Sequence, residues 1–456
     1  MRFLLFVLVV GGLAVSVLPA ANAVKVTDPK DKQILDGFLR HAGNVLEEVS
    51  AEKCRKSNPE NFAWVLLPNL NMTLTAYRMT GDANYLDLFV KGFANMQAAL
   101  TKTPDGFRAW YGAASPTYVN PRDPNGRGAH DAIHSDFRAA ELLSQFALLA
   151  AADPALARKY EKQRAEYLDL AENQLVKKWD VRGNYVDLGA GGGVYRIEGS
   201  AAAETADLTL PHNKHAILVA GLLDLYQATG KDEYMRRAVQ LGTRFKHSLT
   251  LKDGHYEWDY WDPAGAWDVH PQKKGQWKHW IGPEHNSGYY SSTLAQAVSL
   301  YHYGLVFDKT DIDRFVKTQM EMCWNGDIDS AKWYRVDHTN PAQYTKGEYI
   351  AASLAPFQAK VHEYFYGPHG QDARLKGMGN SWQAGPVAVG WIEGKFLTGP
   401  AAKDGKPMHA DIGAQFLAKG ANQEFMKGLR FEVTRSGYTP PKTPADMNPM
   451  PPAPKK

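Results

Sequence analysis

The chain is poor in cysteine. Its 456 residues contain only Cys54 and Cys323. Two thiols cannot build a disulfide scaffold or a cysteine-rich metal centre, and their wide separation leaves open whether they pair or lie as buried thiols. An excess of one charge is missing too. Lys and Arg number 52 against 49 Asp and Glu, a net charge of +3. That balance gives no sign of a nucleic-acid or membrane-surface partner, and it is compatible with a locally basic cleft for an acidic substrate. The Gly-rich run Gly189–Gly193 lacks the Lys-Ser/Thr of a phosphate-cradling loop and reads as a turn. Past the N-terminus no long apolar run occurs, so a soluble mature protein is expected. Asn71-Met72-Thr73 fits a glycosylation sequon but falls in an apolar helical stretch, and we read it as coincidence.

What is present begins at Arg2, followed by the almost wholly apolar Phe3 to Leu18 and the small-x-small triplet Ala21-Asn22-Ala23. This predicts a secretory signal over residues 1–23 and a secreted or periplasmic protein with no membrane association after cleavage. The competing reading, an uncleaved anchor, is weakened by a run shorter than the ~20 residues a spanning helix needs.

The rest repeats a plan in which an apolar-periodic helix, a short turn and an amphipathic helix follow one another. Trp64 to Met79 leads through Thr80-Gly81-Asp82-Ala83-Asn84-Tyr85 into Leu86 to Leu100. His134 to Ala151 leads through Asp153-Pro154 into Ala155 to Trp179, and His212 to Ala228 through Thr229-Gly230-Lys231-Asp232-Glu233-Tyr234 into Met235 to Leu249. Tyr289 to Phe307 leads through Asp308 to Asp311 into Ile312 to Trp324, and a fifth unit starts near Tyr349. Gly81 and Gly230 suit the left-handed residue that ends a helix, and Asp82 and Asp232 suit the cap of the next. Arg236, Arg237, Gln240 and Arg244 predict a solvated face on the outer helix. The turns at Gly81, Asp153, Gly230 and Asp308 are spaced by 72, 77 and 78 residues. The surplus over a plain hairpin lies at 101–133, 180–211 and 250–288, long segments rich in Gly, Pro, Trp, Tyr, His and Asp that fall opposite the short turns.

The hairpin plan, the TGDANY and TGKDEY turns and the export signal resemble the α/α-toroid carbohydrate-active enzymes, the six-hairpin glycosidase-like and chondroitin/alginate lyase-like proteins, from Asp28 to Tyr366. The resemblance implies an all-α fold, an (α/α) toroid of about five to six hairpins with long loops on one rim. It also implies an exported enzyme that cleaves polysaccharide glycosidic bonds. The toroid domain is expected over 24–437, with a small β element near Arg430-Phe431-Glu432-Val433, and 438–456 is expected to be a Pro-rich disordered tail.

Chemistry is expected where the inner helices begin. These starts read His130-Asp131-Ala132-Ile133-His134-Ser135-Asp136, then His212-Asn213-Lys214-His215, Glu284-His285-Asn286-Ser287-Gly288-Tyr289-Tyr290 and Lys346-Gly347-Glu348-Tyr349. Two reactions fit these residue types. One is β-elimination from a uronic-acid polymer, which needs a base for the C5 proton, an acid for the leaving oxygen and groups that neutralise the carboxylate. The resemblance implies an Asn, His, Tyr and Arg set for it: Asn213 or Asn286, His212 or His285, Tyr289 or Tyr290, with His134 nearby. Arg196 is a candidate carboxylate clamp, and His215 a candidate substrate contact. The other is glycoside hydrolysis by two carboxylates, for which Asp131, Asp136, Glu257, Asp259, Asp262, Glu284 and Glu348 are candidates, though no adjacent Asp-Asp pair occurs among them. A glycan-binding toroid without activity and a C5 epimerase are further alternatives.

Trp258, Tyr260, Trp261 and Trp280 are the rings expected to stack on sugar faces. The alternation His255 to Asp262 equally describes a strand with one buried face. His130 and His134 are four apart, which on one helix face admits a divalent metal. The HExxH glutamate and a third ligand are lacking, so no cofactor is expected. The expected partner is a poly- or oligosaccharide.

Overall fold

A computed structural model describes residues 23–113, 129–197, 206–284, 286–339, 347–399, 402 and 405–433. Residues 1–22 of the expected signal (1–23), His285 and the tail 438–456 lie outside the described residues.

Helix dominates. After α1 (Pro29–Gly43) come α2 (Leu67–Thr80) and α3 (Asn84–Ala98), then α4 (Ile133–Ala151) and α5 (Glu161–Asp169), α6 (His212–Thr229) and α7 (Asp232–Ser248), and α8 (Ser287–His302) and α9 (Lys309–Lys317). Three further helices complete the series: α10 (Ala359–Tyr366), α11 (Pro368–Gly377) and α12 (Pro386–Ile392). The four repeat units thus form hairpins. Gly81 (φ 71°) and Gly230 (φ 69°) close α2 and α6 in the left-handed region, a conformation open to glycine at little steric cost. The expected aspartate caps differ. Asp82 accepts from Asn84 N (2.9 Å) two residues before α3 starts in earnest, and Asp232 is already the first residue of α7, paired with Lys419. Capping falls instead to Asp153, which accepts from Ala155 and Leu156, and to Asp308, which forms a capping box with Asp311.

The first helices of the hairpins carry much of the core. Along α4, Phe137, Ala140, Leu143 and Phe146 are all fully buried, and along α6 Leu218, Val219 and Leu225 are. Each such Leu, Val or Phe removed from water stabilises the fold by ~1.5–3 kcal/mol. Gly221 sits where α6 crosses α4: a Cβ there would come within 2.5 Å of the Phe137 carbonyl. Neighbours follow chain order. α12 packs on α2, α2 on α4, α4 on α6, α6 on α8, and α8 on the turn Ala352–Leu354 that precedes α10. α10 then meets α11, α11 meets α1, and α1 meets α2. Among the described residues, no helix is long and apolar enough to cross a membrane.

Among the described residues, the β strands lie in the three long inter-hairpin segments, not near the C-terminus. Residues 101–133 hold the antiparallel pairs β1 (Thr101–Lys102) with β2 (Arg108–Ala109) and β3 (Gly112–Ala113) with β4 (Ala129–His130). Residues 180–211 hold a three-stranded sheet of β5 (Tyr185–Asp187), β6 (Gly193–Ile197) and β7 (Leu208–Thr209), and residues 250–288 hold β8 (Thr250–Lys252) with β9 (His255–Glu257). Arg430–Val433 is not a strand; Arg430 N donates to Ala190 O (3.0 Å) and its carbonyl lies 2.6 Å from His247 Nε2. The chain before it is largely helical. The sheet β5–β7 also overturns the solvated face of α7: Arg237 lies over the Tyr185 ring (3.2 Å to its centroid) and pairs with Asp180. Cys54 and Cys323 are both free and buried, and burial raises both thiols, Cys54 to about 11.

Candidate functional site

The first turns of α4 and α6 meet at Glu60, whose charge also acts on Tyr289 in the first turn of α8. Glu60 belongs to the short helix Pro59–Asn61. Two hydrogen bonds pin that helix to α4: Ser135 Oγ donates to Pro59 O (2.7 Å) and accepts from Ala63 N (3.1 Å). Glu60 then places one carboxylate oxygen 3.8 Å from His134 Nε2 and the other 3.4 Å from Lys214 Nζ. The His134 imidazole is buried beside the Trp64 ring (5.2 Å), and its Nε2 has no hydrogen-bond partner among the described residues. Burial first, then the positive charges of Lys214, His130 and Arg138, push its pKa well below the usual histidine range. His134 is therefore neutral at pH 7.

Beside this group, His212 opens α6. Its Nε2 lies 2.9 Å from Asp262 Oδ2, the ring N–H donating to the carboxylate, and its ring packs on Phe245 at 5.1 Å. Asn213 is buried, and its Oδ1 has no partner among the described residues. Gln296 of α8 reaches the His212 carbonyl at 3.5 Å and leaves its own Oε1 unpartnered among the described residues. On the far side the rings of Tyr260 and Tyr289 stack at 5.3 Å and 25°. Burial raises the proton affinity of both phenols, and the negative charges of Glu284 and Glu60 add to it. Glu284 is itself fully buried and accepts from Thr293 Oγ1 at 3.2 Å.

His134, His212, Asn213, Tyr260 and Tyr289 are thus brought into one neighbourhood. Other expected site residues are used elsewhere. Asn286 is the N-cap of α8, its side chain accepting from Gly288 N (2.9 Å). Tyr290 points into the core, donates to Gln319 Oε1 (2.9 Å) and stacks on Trp258 (5.7 Å). His215 Nε2 accepts from Tyr195 N (3.0 Å), and burial, before the neighbouring His212 and Arg244, lowers its pKa to about 3, so it is a neutral structural acceptor. The Arg196 guanidinium is held by Asp207 (3.0 Å) and the Gly183 carbonyl (3.0 Å). Trp258 and Trp261 are buried rather than offered to a sugar face, and Trp261 Nε1 donates to Thr209 O (2.7 Å), tying two long segments together. Trp280, 48% exposed, and the half-buried Tyr289 keep ring surface at the solvent boundary.

The carboxylates proposed for hydrolysis scatter. Asp131 and Asp136 flank Lys178 Nζ at 2.8 Å each, Asp131 also takes Arg182 (2.8 Å), and all four side chains are nearly or wholly closed to solvent. Glu257 is paired with Lys252 (3.1 Å) and His255 (3.2 Å). Asp259 is buried at a bridge to Pro283. His130 lies in β4 ahead of the helix, so it does not share a helix face with His134; among the described residues, no group of three His, Cys, Asp or Glu side chains can hold a metal ion.

Glu60 and Lys214 were not singled out by sequence. Lys214 sits between two histidines in the helix-start string, but its partner is 154 residues away, and no local pattern announces that pairing. Compared with family models, curated proteins and solved structures, the chain matches none of them.

Proposed function

We propose that this chain is an α/α toroid, exported to the periplasm or beyond, whose mouth cleaves a uronic-acid-containing polysaccharide by β-elimination. One observation carries the reading: His134 and Lys214 converge on Glu60 beside the stacked Tyr260–Tyr289 pair and the His212–Asp262 pair. The ring itself is supported by helix contacts that run in chain order and return through α11, α12 and α1 to α2.

In the reaction, a base takes the C5 proton, the electron pair forms the C4–C5 double bond, and the O4 leaving group departs and acquires a proton. A ground-state carboxylate resists this, because the developing dianion must be neutralised. Lys214 supplies a cation and Asn213 an amide for that carboxylate. Tyr289, half-buried at the solvent boundary, suits proton transfer, and His212, held by Asp262, has a fixed ring orientation. The test is incubation with uronic-acid polymers while the absorbance of the unsaturated product is followed. A rise is expected. No rise on any such polymer, with reducing ends released from neutral glycans, would overturn elimination.

Hydrolysis is the second reading, and one feature favours it. The charges of Glu60 and Glu284 both act on the Tyr260–Tyr289 pair, so two carboxylates share its electrostatic neighbourhood.

A further inference from the structure

We infer that a cavity lined by α10, α11 and α12 together with Glu348 and Ala352 is a second binding site, one that takes a single sugar ring bearing a carboxylate. The cavity measures about 230 Å³ and is walled by Tyr364, Tyr366 and Trp391, with Glu348 and Arg374 at its polar end. It shares no residue with the mouth around Glu60, and the inference does not depend on which reaction the mouth performs.

Three features select the ligand. The first is charge. Arg374 Nη1 is buried and has no hydrogen-bond partner among the described residues. Burial lowers the guanidinium pKa, with the Glu348 charge opposing, yet an arginine stays protonated. A buried charged N–H without an acceptor is costly, and a ligand carboxylate would relieve it in the strong charge-assisted geometry. The second is the walls. Tyr364 and Trp391 are almost wholly buried, and Trp391 is fixed by Nε1 donating to Phe365 O (2.7 Å) and by Lys395 Nζ over its ring (4.9 Å). Fixed aromatic walls suit the apolar C–H face of a pyranose. The third is the remaining polar group. Glu348, an exposed carboxylate at the rim, is an acceptor that suits sugar hydroxyls and repels a second acid group. The volume falls below the ~300–1,000 Å³ of pockets for larger ligands, so one ring fits and a chain does not.

The experiment is calorimetric titration of the full chain with D-glucuronate, D-glucose and benzoate, on the wild type and on Arg374→Gln and His212→Ala. Glucuronate is expected to bind one equivalent in His212→Ala, glucose and benzoate at least tenfold more weakly, and Arg374→Gln is expected to lose glucuronate at least tenfold. If Arg374→Gln folds poorly by circular dichroism, Arg374→Lys is expected to weaken glucuronate several-fold, since a point charge replaces the planar fork. Equal binding of glucose or benzoate, unchanged affinity in the arginine variants, or no heat from glucuronate with folded protein would overturn the assignment. Loss of binding in His212→Ala alone would place the ligand at the mouth and overturn it too. Failure of polymer cleavage would leave these outcomes unchanged, which separates the two proposals.

Discussion

His212 and Asp262 meet at 2.9 Å between Nε2 and a carboxylate oxygen, with both side chains almost closed to solvent. The carboxylate settles which ring nitrogen carries the proton and how the ring is turned. Asp262→Asn keeps the shape and reverses that choice, because the amide can donate where the carboxylate only accepts. Turnover is expected to fall by about 100-fold or more, with polymer binding little changed. Comparing kcat with KM on the cleaved polymer checks this, and an unchanged kcat would remove His212 from the reaction.

Tyr289 belongs to the mouth, while its neighbour Tyr290 belongs to the core, and the two make a matched pair of controls. Tyr289→Phe keeps the ring stacked on Tyr260 and removes only the hydroxyl, so kcat is expected to drop by ~10²–10⁴ with an unchanged melting temperature. Tyr290→Phe removes the hydrogen bond to Gln319 and is expected to cost ~1 kcal/mol of stability with activity retained. Melting curves and rates of both variants measured side by side decide it.

The hairpins were legible because two local signals agree at each one: apolar spacing over four or more turns, and a left-handed glycine or an aspartate at the bend. Most strands were not legible, since the pairs are only two to five residues long and each closes within its own long segment, too short for an alternation to show; the exception is His255–Glu257, inside the run that reads equally as a strand. The aromatic run around Trp258 shows a sharper limit. Alternating rings and acids are written the same way for a sugar platform and for a buried bridge, and only the packing of Trp261 on Thr209 separates the two. Glu60 escaped for a related reason. It lies outside every repeat start and gains its importance from His134 and Lys214, contacts made across the fold. His134, His212 and Tyr289 were legible because equivalent starts of successive repeats carried the same residue types.

Lys178 holds two buried carboxylates at once, Asp131 and Asp136, beneath the start of α4. Lys178→Met fills the space and leaves Asp131 paired with Arg182, while Asp136, its carboxyl already pushed up by burial, loses its only cation among the described residues. The expected loss is at least ~3 kcal/mol, because removing one partner of a buried ion pair leaves an uncompensated charge. Urea unfolding of the variant at pH 7 measures it. A loss under ~1 kcal/mol would mean that water reaches this cluster.

Asp224, at the other end of α6, carries the clearest pH signature. Burial, and then the negative charge of Glu141, push its carboxyl from 3.8 up to about 7, against the lowering contributions of the Gln145 hydrogen bond (2.8 Å) and Arg78. Glu393, paired with Arg78 at 2.9 Å, raises it further, and Glu141, itself raised by burial, titrates in the same direction. The sign follows from proton binding. The folded protein holds the Asp224 proton more tightly than the unfolded chain, so the folded state gains below the unfolded value. That gain is lost as pH rises through about 7. Wild-type stability is therefore expected to decline by roughly 3–4 kcal/mol from pH 4 to pH 7.5 through this group. Asp224→Asn keeps an acceptor for Gln145 and cannot ionise. Its stability is expected to change less over the same range and to exceed the wild type above pH 7. Parallel stability–pH curves for the two proteins would read this directly, and superimposable curves would mean that Asp224 titrates as an ordinary aspartate.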